Sequence, residues 1–169
     1  MLFWIFSMNN RLFYEMNRDV YLKFYFQGRA ELPMPEVLAY LKELVNQNPE
    51  LKDRWSEKTI RTIASKYLTI LKKFGLLEGG QKKSFNYVSV SDEMLALFVH
   101  LHKLREPQEK NLLEDEFFPF SFVSKETLLD RMKRLGKKGW IKMNYTGTTL
   151  RAAGVFGPNE IIDGIFKRT

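Results

Sequence analysis

The chain contains no cysteine. This removes disulfide staples, thiolate nucleophiles, Cys-ligated zinc and iron–sulfur clusters together, and it suits a reducing compartment, so the cytoplasm is the expected location. Histidine is scarce. His100 and His102 are the only two, and residues two apart on a helix do not share a face, so no metal site is expected on them. Long apolar runs are missing as well. The N-terminal run Leu2-Phe3-Trp4-Ile5-Phe6 stops at Ser7 and is followed by Asn9, Asn10 and Arg11. A bilayer span needs about 20 apolar residues, and a secretory leader needs a basic start and a small-residue cleavage site. The run therefore reads as the first turns of a helix, and no membrane is expected as a partner. Phosphate-cradling glycine motifs are absent, because Gly79-Gly80 lacks both the spacing and the downstream Lys-Ser/Thr. No convergent set of polar groups points to a hydrolase or a transferase, and Glu114-Asp115-Glu116 reads as part of a solvated linker. The expectation is a non-enzymatic protein with no cofactor.

What is present is a chain of 169 residues with ordinary apolar and charged fractions but 14 Phe, 7 Tyr and 3 Trp. It is long enough for one large domain or two small ones with real cores. So many aromatic residues imply a heavy core or a sticky face. The net charge is +7, and it is unevenly placed. Residues 54–83 hold eight Lys or Arg against two acids, and residues 120–169 hold ten against four. The remainder of the chain is acidic. Two separated basic blocks on an acidic background suit a polyanion-binding protein.

The apolar pattern predicts helix from about Leu2 to Gln27, with Gly28 as a stop. Pro33 and Pro35 mark a second helical start, carrying the stripe Val37, Leu38, Leu41, Leu44 and Val45. Ser56 is a good N-cap for a helix that runs to Phe74, where Gly75 supplies the break. Residues 84–90 alternate and read as a strand opposite a stub at Leu76-Leu77. Ser91 caps a helix to about Arg105. Residues 107–116 read as a linker, and Phe117 to Phe122 as a buried or docking strand. Ser124 caps a further helix, which ends at Gly136 to Gly139. Residues 140–144 and 148–155 then form a hairpin around Thr146-Gly147.

Two stretches share a plan. Ser56-Glu57-Lys58-Thr59-Ile60 resembles Ser124-Lys125-Glu126-Thr127-Leu128, and Gly75-Leu76-Leu77 resembles Gly139-Trp140-Ile141. The Ser-to-Gly spacings are 19 and 15 residues, and the difference of four is about one helical turn. Capped helices followed by Gly and a strand are common, so duplication and chance both remain readings. If the repeat is genuine, the chain holds two units of helix plus hairpin in tandem, each like the back half of a winged helix.

On a helical wheel the 56–74 helix puts Ile60, Ile63, Ala64, Tyr67, Ile70, Leu71 and Phe74 on one side. The other side carries Lys58, Arg61, Thr62, Ser65, Lys66, Thr69, Lys72 and Lys73. Short hydroxyl residues let a helix backbone approach the major groove while Lys and Arg reach phosphates and base edges. The bland alternative is a solvated face. Against it stand the near-absence of acid on that face, a preceding helix placed to support this one, and a Lys82-Lys83 turn placed as a wing. In the second copy, Leu128, Leu129, Met132 and Leu135 form the buried stripe, leaving Arg131, Lys133, Arg134, Lys137 and Lys138 outward. Bulky cations without Ser or Thr between them suit backbone contact more than base reading.

The stretch from Arg11 to Leu77 resembles the BrxA family of BREX phage-exclusion systems. The resemblance rests on Arg11-Leu12-Phe13-Tyr14-Glu15, on Arg18-Asp19-Val20, on the helix at Pro35 to Leu44, and above all on Trp55-Ser56-Glu57-Lys58-Thr59 followed by Leu71 and Gly75-Leu76-Leu77. It implies a mainly helical accessory protein of a defence island, binding double-stranded DNA and without catalytic activity. It also implies a chain short at its N-terminus, since family members carry a longer region before the Arg11-like motif. The half beyond Pro107 has no counterpart in the resemblance. DNA-contacting residues are not set by the family's motifs, so those expected here rest on the wheel.

The resulting expectation is a mainly α fold with short β-hairpins and winged-helix-like units. Residues 1–106 would form a helical domain with such a unit at 56–90, residues 107–116 a linker, and residues 117–169 a second helix-plus-hairpin unit. The expected nucleic-acid-binding residues are Lys58, Arg61, Thr62, Ser65, Lys66, Thr69, Lys73, Lys82, Lys83, Arg131, Arg134 and Lys138. Double-stranded DNA and other defence-system proteins are the expected partners, with self-association open. RNA binding and a protein-interaction adaptor role, the latter docking through the aromatic N-terminus and Phe117 to Phe122, are the alternatives.

Overall fold

Capping residues set the helix boundaries in the computed structural model, which describes residues 2–105, 111–157 and 160–166. Asn10 interrupts the N-terminal helical pattern, because its Oδ1 accepts the Phe13 N–H at 2.8 Å and starts a new helix. The expected single helix is therefore α1 (Leu2–Asn9), α2 (Arg11–Met16), a π-helical stretch (Asn17–Leu22) and α3 (Lys23–Phe26). Two proline-led helices follow, α4 (Met34–Gln47) and α5 (Pro49–Lys52). Helix α6 (Glu57–Lys73) starts where Ser56 Oγ accepts the Thr59 N–H at 3.2 Å. Glu57 at its start and Lys72 and Lys73 at its end complement the helix dipole. Gly75, at φ +73°, ends it in the left-handed conformation that glycine adopts without strain. Strands β1 (Leu77–Glu78) and β2 (Ser84–Phe85) pair antiparallel.

The chain divides into two compact units, Met1–Val88 and Ser89–Thr169. Helix α7 (Asp92–Arg105) thus sits with the C-terminal half, whereas the sequence pattern grouped it with residues 1–106. The packing explains this, since Phe98 stacks on Phe117 at 5.4 Å and the His100 ring lies against Phe156 at 5.6 Å. After α7 come α8 (Lys125–Lys137), the antiparallel hairpin β3 (Ile141–Tyr145) and β4 (Leu150–Gly154), and α9 (Ile161–Phe166). The fold is mainly α with two short hairpins, as the patterning predicts.

The N-terminal unit closes around Tyr21, Leu22, Met16, Leu32, Val37, Leu41, Ala64 and Leu71, all at most 2% exposed. Its buried polar groups are matched. The Tyr67 hydroxyl lies 3.0 Å from Asn17 Oδ1 and 3.1 Å from Met16 O, and Asn17 Nδ2 donates to Phe13 O at 2.8 Å. Phe3, Phe6, Phe13 and Phe74 form a cluster of edge-on and tilted rings in which Phe3 and Phe13 are buried.

Three further expectations change. Of residues 84–90, only Ser84 and Phe85 form a strand; beyond them Asn86 N–H donates to Leu76 O and its side-chain amide to Gly75 O, while Val88 N–H donates to the Tyr25 hydroxyl. Phe117 to Phe122 is not a strand but a single 3-10 turn (Phe118–Ser121), opened by Asp115 Oδ1 accepting the N–H groups of Phe117 and Phe118. Phe117, Phe118 and Phe120 are buried and so belong to the core of the unit, while Pro119 and Phe122 are half-buried. Of the expected linker, residues 107–110 lie outside the described residues. Leu112 within it is buried, and its N–H donates to Leu150 O at 2.8 Å.

The two units repeat one plan in more detail than the sequence showed. In each, a short edge segment borders the hairpin. Leu32 N–H donates to Lys83 O and Phe85 N–H to Ala30 O in the first unit, and Leu112 pairs with Leu150 in the second. The serine hydroxyls also match, with Ser56 Oγ 3.0 Å from Thr59 Oγ1 and Ser124 Oγ 3.2 Å from Thr127 Oγ1. Gly139 ends α8 at φ +73°, the same value as Gly75. Each unit therefore runs helix, edge segment, helical turn or helix, serine-led helix, hairpin, although Ser124 sits at the N-cap position of α8 without the side-chain hydrogen bond that Ser56 makes.

Candidate nucleic-acid interface

Helix α6 presents the face that its periodicity implies. Ile60, Ala64, Tyr67, Leu68 and Leu71 are buried, and Lys58, Arg61, Thr62, Ser65, Lys66, Thr69 and Lys73 are exposed. Leu68 is a buried residue the wheel left out. Lys58, Arg61, Thr62, Ser65 and Lys66 line one shallow groove of about 660 Å³, together with Met34 and Glu57. The stripe from Lys58 to Lys73 extends about 22 Å along the helix. The one acid lining that groove, Glu57, is already engaged by Lys42 at 3.0 Å. Lys58, Arg61, Lys66 and Lys73 have no ion-pair partner among the described residues, so this face holds unneutralised positive charge.

The hydroxyls are arranged differently from the simplest expectation. Thr62 Oγ1 donates to Lys58 O at 2.9 Å and Thr69 Oγ1 to Ser65 O at 2.8 Å, each one turn back on the same helix. Their protons are thus committed to the backbone, and they act as small residues that allow close approach.

The turn between β1 and β2 divides the expected wing pair. Lys82 is exposed, whereas Lys83 folds back and its Nζ donates to the carbonyls of Gly79 and Gly80. Lys72 Nζ also donates to Gly79 O, at 2.7 Å. The turn requires Gly79, at φ +89°, because a Cβ there would lie 2.4 Å from Lys82 O.

In the second unit the three expected residues converge on a single carboxylate that sequence reasoning missed. Asp92 Oδ1 accepts from Arg131 Nη2 at 3.1 Å and Arg134 Nη2 at 3.4 Å, and Asp92 Oδ2 accepts from Lys138 Nζ at 3.1 Å. Arg131 Nη2 also donates to Val90 O at 2.6 Å. Burial pushes the Asp92 carboxyl up, but the contacts with Lys138, Arg134 and Arg131 outweigh it and hold the group below the usual carboxylate range. Lys138 also lies over the Trp140 ring at 4.5 Å. Lys133 and Lys137 on α8 are exposed, as are Lys142 and Arg151 on the hairpin. Lys167 and Arg168 lie outside the described residues.

The histidines of this unit are structural. His100 Nδ1 is 2.7 Å from Ala96 O, and its Nε2 accepts the Phe156 N–H at 3.2 Å, which fixes a neutral ring with the proton on Nδ1. Burial, with a smaller push from Lys103, holds its pKa below the ordinary value against the opposing Ala96 contact. His102 Nε2 lies 3.0 Å from Asp115 Oδ2, out of line for a hydrogen bond.

The residues behind the family resemblance gather elsewhere in the first unit. Arg11, Leu12, Glu15, Arg18, Asp19 and Trp55 contribute to a recess of about 670 Å³. Its charges are largely paired, Arg11 with Glu15 at 2.9 Å and Arg18 with Asp19 at 2.6 Å, so it offers no free cation field. No helix among the described residues is long and apolar enough to cross a membrane.

The profile of the BrxA family matches residues 1–100, a wider span than Arg11 to Leu77. No curated protein and no solved structure matches the chain.

Proposed function

The chain belongs to the BrxA family, and from that premise we propose that it binds double-stranded DNA without catalysing a reaction, using α6 as its principal contact. Membership makes it an accessory protein of a BREX phage-defence system, among whose proteins its partners are to be sought. The observation that carries the reading is the α6 stripe, with Lys58, Arg61, Lys66 and Lys73 exposed and unneutralised over small residues. The order of helix, edge segment, helical turn or helix, helix and hairpin in each unit supports a winged-helix-like reading, in which the last helix would enter the major groove.

The arrangement favours binding that tolerates sequence. Base reading needs hydrogen-bonding groups aimed at base edges, and Thr62 and Thr69 direct their protons to their own helix. Free lysine and arginine side chains at the groove rims contact phosphates and release counterions, so affinity falls steeply with salt. Arg61→Glu combined with Lys66→Glu tests this, with the fold checked by circular dichroism. The expected loss is about tenfold or more at moderate salt. Unchanged affinity in a folded double variant removes α6 as the contact.

A second reading has one observation in its favour. Leu2, Ile5 and Phe6 on α1 are 69%, 42% and 39% exposed, an apolar strip suited to a protein partner. Co-purification with another defence protein that resists both salt and nuclease, and is lost in Leu2→Ser with Ile5→Ser, supports that adaptor role.

A further inference from the structure

We propose that Arg131, Arg134 and Lys138 form a phosphodiester site in the second unit that Asp92 occupies from within the chain. The inference rests on the DNA-binding reading and extends it to a second contact that is closed in the free protein. The three cations follow an i, i+3, i+7 spacing, which places them on one stripe of α8. All three approach the same carboxylate, at 3.1 Å for Arg131, 3.4 Å for Arg134 and 3.1 Å for Lys138. One carboxylate neutralises one cation, so the group keeps an excess of positive charge around a single anion position. A structural ion pair needs only one of these cations.

The carboxylate also resembles the ligand. A backbone phosphodiester carries one negative charge on two non-bridging oxygens, as Asp92 does, and guanidinium groups match either geometry. Burial separates the roles of the three cations. Arg131 is 16% exposed and anchored to Val90 O, whereas Arg134 is 54% and Lys138 42% exposed, so these two are the ones an incoming phosphate can reach once they leave Asp92. Arg131 Nε is buried with no acceptor, which leaves a donor to be satisfied. A phosphate displacing Asp92 would gain all three partners, and the displaced carboxylate would oppose it. The second unit would therefore bind more weakly than its charge suggests.

The test uses the full chain with Asp92→Asn, which keeps the side chain's shape and removes its charge, and Asp130→Asn, a charge-matched control on α8. Both are titrated with duplex DNA at several salt concentrations, with and without Arg61→Glu and Lys66→Glu. Asp92→Asn is expected to tighten binding about three- to tenfold, and to steepen the slope of log affinity against log salt by up to about 0.9. Asp130→Asn should do neither to that extent. The gain should persist when α6 is reversed, so failure of the α6 reading and failure of this one are distinguishable. If no variant binds DNA, elution from a heparin column decides: Asp92→Asn must leave at higher salt than Asp130→Asn. Equal behaviour of the two variants overturns the proposal. If Asp92→Asn does not fold, Arg134→Gln and Lys138→Gln in the native chain replace it. Each should flatten the salt slope without lowering the melting temperature, and a lowered melting temperature with an unchanged slope makes the cluster a structural tie and overturns the proposal.

Discussion

The two units share a local plan and differ in what becomes of its charge. In the first, the Ser56-capped helix leaves Lys58, Arg61, Lys66 and Lys73 exposed, and the one acid lining its groove is held by Lys42. In the second, helix α8 directs Arg131, Arg134 and Lys138 onto Asp92, 39 to 46 residues away in sequence. A basic amphipathic helix thus has two meanings, and a distant acid decides between them. The charge pattern of α8 alone gives no sign of Asp92, which stands at the start of another helix.

The comparison breaks most severely at Gly154. A Cβ there would lie 2.2 Å from the His100 ring, so Gly154→Ala should destabilise the second unit by about 3 kcal/mol, at the upper end of ordinary overpacking costs. Hydrogen exchange should show α7 and the β3–β4 hairpin unprotected while α6 stays protected and binds DNA. Loss of protection in α6 as well makes the two units one cooperative body.

Acid pH separates the units next. Both histidines lie in the second unit. The folded state holds His100 neutral, with its pKa depressed below the ordinary 6.5. A depressed pKa contributes stability that is complete above the unfolded value and is lost as the pH falls through the folded one. The second unit should therefore melt earlier as the pH is lowered from 7 to 5, with the first unit little changed. His100→Gln, which cannot titrate, should flatten that dependence, and a pH dependence unaltered by the substitution assigns it to other groups.

The smallest expected effect lies in the first hairpin turn. Lys82→Gln should reduce the salt slope by about one unit or less, whereas Lys83→Gln should leave it unchanged because Lys83 is engaged with the Gly79 and Gly80 carbonyls. Equal effects of the two substitutions show that Lys83 leaves the turn when DNA binds.

Local chemistry made much of this fold legible. Ser56 and Ser124 marked helix starts, Gly75 and Gly139 marked ends, and the 3.6-residue period identified the buried side of α6, apart from Leu68. What escaped depends on contacts distant in sequence. The edge segments at 30–32 and 111–112 are held by one or two backbone bonds and have no periodic signature. The alternation of residues 84–90 suggested a longer strand; Asn86 N–H still bonds to Leu76 O in the hairpin's register, but Val88 N–H donates to the Tyr25 hydroxyl instead of continuing the ladder. Four phenylalanines in six residues suggested an extended segment, yet Asp115 and Pro119 set a helical turn there. Charge counting identified the expected cations, but it did not show which of them another part of the chain already holds.

The contrast between free and engaged cations is tested most directly by titrating duplex DNA with two double variants at matched salt. One reverses charge on α6, Arg61→Glu with Lys66→Glu, and the other reverses it on α8, Arg134→Glu with Lys138→Glu. The expected result is the larger loss for α6, about tenfold or more, and a smaller one for α8, where each cation must first leave Asp92. An equal or larger loss for α8, with both variants folded, contradicts the assignment of α6 as the principal contact.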